Sequence, residues 1–444
     1  MLKKILFSIL VLLLIAGIYF RVSIYPMLSI ASGYAAKKMC SCHFIADRNQ
    51  ASIQLTDLGL SPLDLTKTFI DESAQLATSS VLGMAEMTAV YRGDIGCILL
   101  QGEDDYDVSL DLPAYSIPKD LMWPHGSATT NDEIAGVNYD QLNKAIEGAF
   151  EPSNMTRAVV VIHRDTLIAE RYLDGFDKDT EILGWSMTKS VTSTLLGILA
   201  KEGRVSLNAQ TQFPEWENDE RKNITLRHLL NMQSGLGFSE IYDEVSDATN
   251  MLYGAEDVSI IPINNKAIAP PDSIWYYSSG TSNLLSKYLM NRFSNQNDYL
   301  KFPYEQLFRK IGMASARMET DESGVYIGSS YMYATPRDWA RFGLLYLNEG
   351  NWYGEQIIDT TWVDFSKSIA KKSGGIYGGH FWHNADHAQF PDVPDDMFSA
   401  NGFQGQRVWI FPSQDVVVVR MGLAGDDFFD MNKFLSETLK AFDS

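Results

Sequence analysis

The hydrophobic pattern changes period along the chain, and the changes mark its elements. Ile5 to Phe20 is apolar on every face, interrupted only by Ser8 and Gly17. As a helix this run spans ~24 Å, slightly short of a ~30 Å hydrocarbon core. Val22 and Ile24 extend it past Arg21, whose long stem can snorkel. Tyr91 to Leu100 (YRGDIGCILL) reads as a strand, followed by an acidic loop from Glu103 to Asp107. The proline-containing stretch from Leu112 to Gly126 reads as a wrap over the main body, and Tyr139 to Phe150 as a helix. Ala158 to His163 (AVVVIH) is a β-branched run, Arg164-Asp165 a turn, and Thr166 to Tyr172 an apolar–polar alternation, together a strand pair. From Trp185 to Glu202 the period becomes helical, with Met187, Val191, Leu195, Ile198 and Leu199 on the apolar positions and Gly203 as the stop. Residues 225–345 read as mostly helical and loop-rich. Strands return at Arg407–Phe411 and Val416–Met421 around a Pro412–Asp415 turn, and a helix from Phe428 to Phe442 closes the chain. Two strand pairs bracketing a helical middle predict an α+β fold: one antiparallel sheet flanked by helices, with a helical region inserted on one side.

Composition narrows the function classes. The 444 residues are 45% hydrophobic and 21% charged, which excludes a disordered chain and a polytopic membrane protein. The formal net charge of -20, with no basic run, excludes nucleic acid as a partner and argues against anionic cell-wall polymers as substrates. Lys3 and Lys4 precede the apolar run and place the N-terminus in the cytoplasm, so the remainder lies on the periplasmic or extracellular side. Bulky Ile18, Tyr19 and Phe20 leave no small-x-small cleavage site directly after the run, which favours an uncleaved anchor over a signal peptide. The predicted organisation is an anchor at 1–24, an accessory segment at 25–138 and a catalytic domain at 139–444. An exported chain allows one disulfide, from Cys97 to Cys40 or Cys42, pinning the N-terminal segment.

Three motifs carry chemistry. Ser186-Met187-Thr188-Lys189 opens the long apolar helix, and the i, i+3 spacing puts serine and lysine on one face. An enclosed lysine loses basicity and can accept the serine proton. Tyr277, in Trp275-Tyr276-Tyr277-Ser278-Ser279-Gly280, is placed on a tight turn as a proton shuttle whose phenol ionises more easily beside an ammonium. Ala400-Asn401-Gly402-Phe403-Gln404-Gly405 leads into a strand, where glycines let backbone approach a ligand. A backbone N–H there, paired with that of Ser186, would form an oxyanion hole.

Together these motifs resemble the serine β-lactamase and penicillin-binding-protein superfamily, in its class C-like branch. That branch includes esterases, D-aminopeptidase-type enzymes and 6-aminohexanoate-dimer hydrolases. The resemblance spans about residues 140–440, including GWSMTKSVTSTLLGILAKEGRVSLN around the serine, LRHLLNMQSG from Leu226 to Gly235, and Trp409-Ile410-Phe411-Pro412. It implies a β-lactamase/transpeptidase-like fold, Ser186 as acylated nucleophile, Lys189 as its general base or electrostatic partner, and Tyr277 as the second-motif tyrosine. Phe403 becomes the second oxyanion donor, by alignment on the shared Gly-Phe-x-Gly stretch. There are departures. Tyr277-Ser278-Ser279 stands where class C enzymes have Tyr-x-Asn, and Ala400-Asn401-Gly402 where they have Lys/His-Thr-Gly. Ala400 cannot pair with a substrate carboxylate, and a charged hydrogen bond is worth ~1.5–3 kcal/mol. The same loss is familiar among 6-aminohexanoate-dimer hydrolase-like members, which also carry a loop tyrosine, here Tyr242. Ser279, Asn401 and Gly402 complete the expected pocket.

Gly184-Trp185-Ser186-Met187-Thr188 lacks the second glycine of a nucleophile elbow. Cys40-Ser41-Cys42-His43 lacks a fourth metal ligand at normal spacing. His380, His383 and His387 with Asp386 cluster in sequence, but Tyr377–Trp382 reads as a strand that sends His380 and His383 to opposite faces, so they are expected as loop histidines at a pocket rim. The expectation is an anchored serine hydrolase of a small carboxylic ester or amide, needing no metal or organic cofactor. The alternatives are a β-lactamase or D-Ala-D-Ala carboxypeptidase, and an inactive envelope protein that has lost its second- and third-motif residues.

Overall fold

The computed structural model describes residues 2–102, 108–130, 132–425 and 428–442; the acidic loop expected at Glu103–Asp107 lies outside the described residues. Helix α1 (Leu2–Tyr19) passes through five π-helical residues, Phe20–Ile24, into α2 (Tyr25–Phe44). The result is one unbroken helix from Lys3 to Phe44. Its described α1 residues, from Lys3 onward, are exposed, whereas α2 buries Ser32, Gly33 and Ala35 through Cys42. The change follows the sequence: α1 is large and apolar all round, while α2 brings Ser32, Gly33, Ala35 and Ala36, small enough to lie flat on a sheet.

That sheet has four antiparallel strands in the order β1 (Thr66–Asp71), β2 (Leu76–Val81), β3 (Met84–Tyr91), β4 (Cys97–Leu100). The single strand expected from Tyr91 to Leu100 is corrected: a turn intervenes, closed by Arg92 N–H donating to Gly96 O at 2.7 Å. A Cys40–Cys97 disulfide ties α2 to β4, and Cys42 remains a buried thiol. Asp57 sits among Lys38, Arg48 and Arg157, at 3.4, 2.7 and 2.8 Å. Burial alone would raise its pKa, but these cations hold it well below the usual carboxylate range.

The main body follows. Helix α3 (Tyr139–Ala149) precedes the hairpin β5 (Thr156–His163) and β6 (Thr166–Tyr172). Next come α4 (Met187–Lys201), α5 (Asp247–Tyr253), α6 (Ser279–Met290) and α7 (Pro336–Leu347). Strands β7 (Tyr377–Gly378), β8 (Phe381–His383), β9 (Phe398–Gly402), β10 (Gln406–Phe411) and β11 (Val416–Gly422) lead to α8 (Met431–Leu439). These form one antiparallel sheet in the order β7-β8-β9-β10-β11-β5-β6. The two expected hairpins meet where β11 pairs with β5, Val416 opposite His163. Strand β5 is buried at every position because both faces are covered. Val160 and Ile162 join the α4 core, and Val159 and Val161 pack with residues of α3 and α8.

Three boundaries differ from expectation. Tyr377–Trp382 is two strands around a Gly379-His380 turn, with His380 at φ 69°. The closing helix starts at Met431, where the Asp430 carboxylate accepts Lys433 N–H. Helix α4 starts at Met187, with Ser186 just ahead of it. Its polar side is buried as well as its apolar one, because its hydroxyls find partners inside. Ser190 donates to His380 O at 2.7 Å and Ser193 to Gly379 O at 2.9 Å.

Candidate active site

The nucleophile turn is built by a short strand, Ile182–Leu183, that stops at Gly184. A side chain at Gly184 would lie 2.3 Å from the Trp339 ring, so the close approach excludes one. Trp185 then takes the left-handed conformation at φ 49°, a strain of order ~1–3 kcal/mol for a non-glycine residue. Its indole is fixed from several sides. Tyr34 of α2 stacks on it at 6.1 Å, and Tyr331 and Phe403 lie at 5.6 and 5.8 Å. This turn delivers Ser186 to the N-terminus of α4, where the helix dipole favours negative charge.

One turn on, Lys189 is 2% exposed. Its ammonium donates to Ser186 Oγ at 3.0 Å, Ser279 Oγ at 3.0 Å and the Ser329 carbonyl at 2.8 Å. All three donors are thereby used. Burial lowers its pKa to about 8, against the opposing charge of Glu240.

Tyr277 lies in irregular backbone two residues before α6, outside any assigned turn. Its ring packs against Trp382 at 5.3 Å and Tyr377 at 5.8 Å, and Ser186 is near enough to its phenol to oppose part of the effect of burial. The expected ease of ionisation is corrected. Lys189 Nζ stands over the ring face, 5.0 Å from its centroid, and burial pushes the phenol well above its ordinary value. Tyr277 is a neutral hydroxyl, able to receive one proton and pass on another.

Ser279 and Tyr242 converge on Glu240, which sequence reasoning missed. Glu240 Oε1 accepts from Ser279 Oγ at 2.5 Å and Tyr242 OH at 2.6 Å, and Oε2 accepts Ser279 N–H at 2.7 Å. Tyr242 OH also lies 3.1 Å from Ser279 Oγ. The carboxylate therefore closes the N-terminus of α6 and reaches Lys189 through one hydroxyl. The available signal was an acid two residues before the loop tyrosine, and nothing in its spacing distinguishes it from Asp243 or Glu244.

The end of β9 completes the arrangement. A side chain at Gly402 would lie 2.1 Å from Gly184 O, so this strand end rests directly on the nucleophile turn. Arg407 Nη1 donates to Gly402 O at 2.6 Å. In a trans peptide the N–H points opposite the carbonyl, so this bond fixes the direction of Phe403 N–H. The Phe403 ring itself is 59% exposed. Asn401 Oδ1 is buried without a partner among the described residues, and Ala400 is an uncharged core residue.

The histidines sit elsewhere than expected. His380 and His383 are buried, and burial lowers their pKa values to about 3 and about 4, which leaves neutral imidazoles. His380 is held by Leu230 O at 2.7 Å and Ser282 Oγ at 3.0 Å. His43 is 2.8 Å from Glu72, and Cys40 is consumed by the disulfide. Among the described residues no group of three or more His, Cys, Asp or Glu is placed to hold a metal.

Comparison with known proteins places this arrangement. The chain is 23% identical over 296 residues to the 6-aminohexanoate-dimer hydrolase of Paenarthrobacter ureafaciens, covering 60% of this chain and 72% of that one. A family VIII carboxylesterase superposes with a TM-score of 0.56 at 14% identity, over 70% of this chain and 100% of that one. A penicillin-binding protein homologue from Caulobacter crescentus superposes at 0.55 and 15% identity, over 69% and 98%. At such identities the superpositions establish the fold. Residues 143–423, more than half of the chain, match the beta-lactamase family, and the protein belongs to that family as a β-lactamase-related serine hydrolase.

Proposed function

We propose that the protein cleaves a small carboxylic ester or amide through an acyl-enzyme on Ser186. The observation that carries this reading is the 3.0 Å contact between Ser186 Oγ and a buried Lys189 whose pKa is lowered to about 8. At pH 7.5 about a quarter of such amines are neutral. A neutral Lys189 takes the Ser186 proton as Oγ attacks the substrate carbonyl. The N–H groups of Ser186 and Phe403 receive the oxyanion. Tyr277 hands its proton to the leaving alcohol or amine and is reprotonated by the one Lys189 took from Ser186; water then attacks the acyl carbonyl by the reverse relay, freeing the acid and returning a proton to Ser186 Oγ. Asn401 Oδ1 suits a substrate N–H. The uncharged Ala400 and the nearby Glu240 carboxylate disfavour substrates that carry a carboxylate, which sets β-lactams and peptide C-termini second.

The same reading includes a membrane anchor. Among the described residues the Lys3–Phe44 helix is the one long and apolar enough to cross a bilayer. Two features support an uncleaved anchor with the catalytic domain outside. The helix runs without an extended break into disulfide-tied α2, and disulfides belong to oxidising compartments.

Intact mass after treatment with a fluorophosphonate tests the chemistry. One adduct is expected on the native chain and none on Ser186→Ala, with labelling strongly slowed in Lys189→Ala. Absence of any adduct on the native chain overturns the reading in favour of an inactive envelope protein. Short nitrophenyl esters against chromogenic β-lactams test the substrate class; rapid β-lactam turnover without esterase activity overturns it.

A further inference from the structure

We propose that the tip of the β2–β3 hairpin, with Leu65 beside it, is a second membrane contact that seats the N-terminal sheet on the bilayer. The proposal rests on the anchor reading above. Leu82 and Gly83 form the two-residue turn, at φ 51° and 74°. Such turns favour Asn-Gly, because a non-glycine residue at positive φ is strained. Here the first position is a leucine that is 68% exposed, paying that strain with no packing inside the protein. Met84 follows it and is exposed too. Thr66 pairs with Val81, so Leu65, 49% exposed, lies next to Leu82 across the strands.

The height of this tip follows from two contacts between α2 and β3. Ser29 Oγ lies 3.8 Å from Met87 Sδ, and further along both elements Phe44 stacks on Tyr91 at 5.6 Å. Strand and helix therefore run in the same direction. Tracing β3 backwards from Met87 leads toward the anchor. The five residues to Leu82 cover about 16 Å in an extended strand. Ser29 stands only about 7.5 Å above Ile24 along the helix axis. The tip thus reaches the level at which the fully exposed helix begins. Tyr19, Phe20 and Tyr25 surround that level, with Arg21 over the Tyr25 ring at 4.7 Å, an interfacial composition. Exposed Met27 continues the apolar rim on the helix itself. Asp64, Glu86 and Lys67 flank the tip with a net charge of -1, so the contact is apolar insertion and not attraction to anionic lipid.

Depth-dependent quenching in phosphatidylcholine vesicles tests this on the full chain. Leu82→Cys carries an environment-sensitive fluorophore, since Cys42 is buried and the other two cysteines are bridged. Labels at Leu12→Cys in α1 and Ser413→Cys, on the β10–β11 turn, serve as references. Spin-labelled lipid is expected to remove most of the emission at Leu12 and Leu82 and little at Ser413, unchanged by added salt. Quenching at Leu12 alone overturns the hairpin contact and leaves the anchor intact. Quenching at neither removes the anchor and the contact together. Reaction with the fluorophosphonate confirms that each labelled chain is folded. In Leu82→Asn, which suits the turn better, a label at Leu65→Cys is expected to lose most of its quenching; full retention overturns the proposal.

Discussion

Replacing Glu240 by glutamine tests how the base is tuned. Glutamine keeps the size of the side chain and removes its charge. The links from Lys189 Nζ to Ser279 Oγ and on to Glu240 Oε1 are 3.0 and 2.5 Å, which puts the two charges within about 5 Å of each other. At an effective dielectric of about 20 this attraction is worth ~3 kcal/mol. Glu240 is partly exposed, and solvent screening reduces the effect on Lys189 to about one pH unit. The sign is fixed. Glu240 raises the Lys189 pKa toward about 8, so its loss lowers that value and makes the neutral amine available at lower pH. The other groups facing Lys189 are the neutral His380 and Tyr277, with Arg407 acting on Tyr277, and none of them changes charge there. The assay is kcat/KM for a nitrophenyl ester from pH 5 to 9. The acidic limb is expected to move about one unit toward acid in Glu240→Gln. Ser279→Ala keeps the charge and breaks the link, so it should lower kcat with the limb nearly in place. A limb that stays put in Glu240→Gln, or moves toward base, refutes the electrostatic reasoning.

Three further outcomes are expected. Tyr277→Phe preserves the ring packing against Trp382 and Tyr377 and removes the relay; kcat should fall about 10²-fold with little change in KM, measured by steady-state kinetics. Gly402→Ala places a Cβ 2.1 Å from Gly184 O and displaces the Phe403 N–H; kcat should fall by roughly 10²–10³, checked against a melting curve that shows a folded chain. Asp57→Asn strips the carboxylate from Lys38, Arg48 and Arg157 and should cost about 3–5 kcal/mol in denaturant unfolding. Because the folded pKa of Asp57 is depressed, its contribution is present above about pH 4 and is lost only as pH falls through that lower value.

Legibility in the sequence followed the range of the interaction. The runs AVVVIH and VVVVRM are buried throughout, and apolar at all but His163 and Arg420, because both sheet faces are covered, and they announced the pair that joins the two hairpins. Ser186 and Lys189 were legible because three residues on a helix are one turn. Strands β1 and β2 were not, since half-exposed segments such as TKTFID carry weak alternation. Glu240 escaped because its role comes from a loop folding back onto the start of α6, and its neighbours in sequence are equally acidic. Tyr277 was placed correctly beside Lys189 with the wrong consequence. The ammonium faces the ring and not the hydroxyl, a distinction that only side-chain geometry makes.

The unbroken passage from α1 into α2 has a mechanical meaning. There is no tether between the exposed helix and the body, and Trp185 stacks on Tyr34, ten residues beyond Ile24. With α1 in a bilayer, the helix acts as a stiff post of about 15 Å between the lipid surface and the turn that carries the nucleophile. The enzyme then cannot sweep a volume on a leash, and patrols a thin layer parallel to the membrane. Its encounter with substrate becomes a search in two dimensions, governed by what diffuses along that layer.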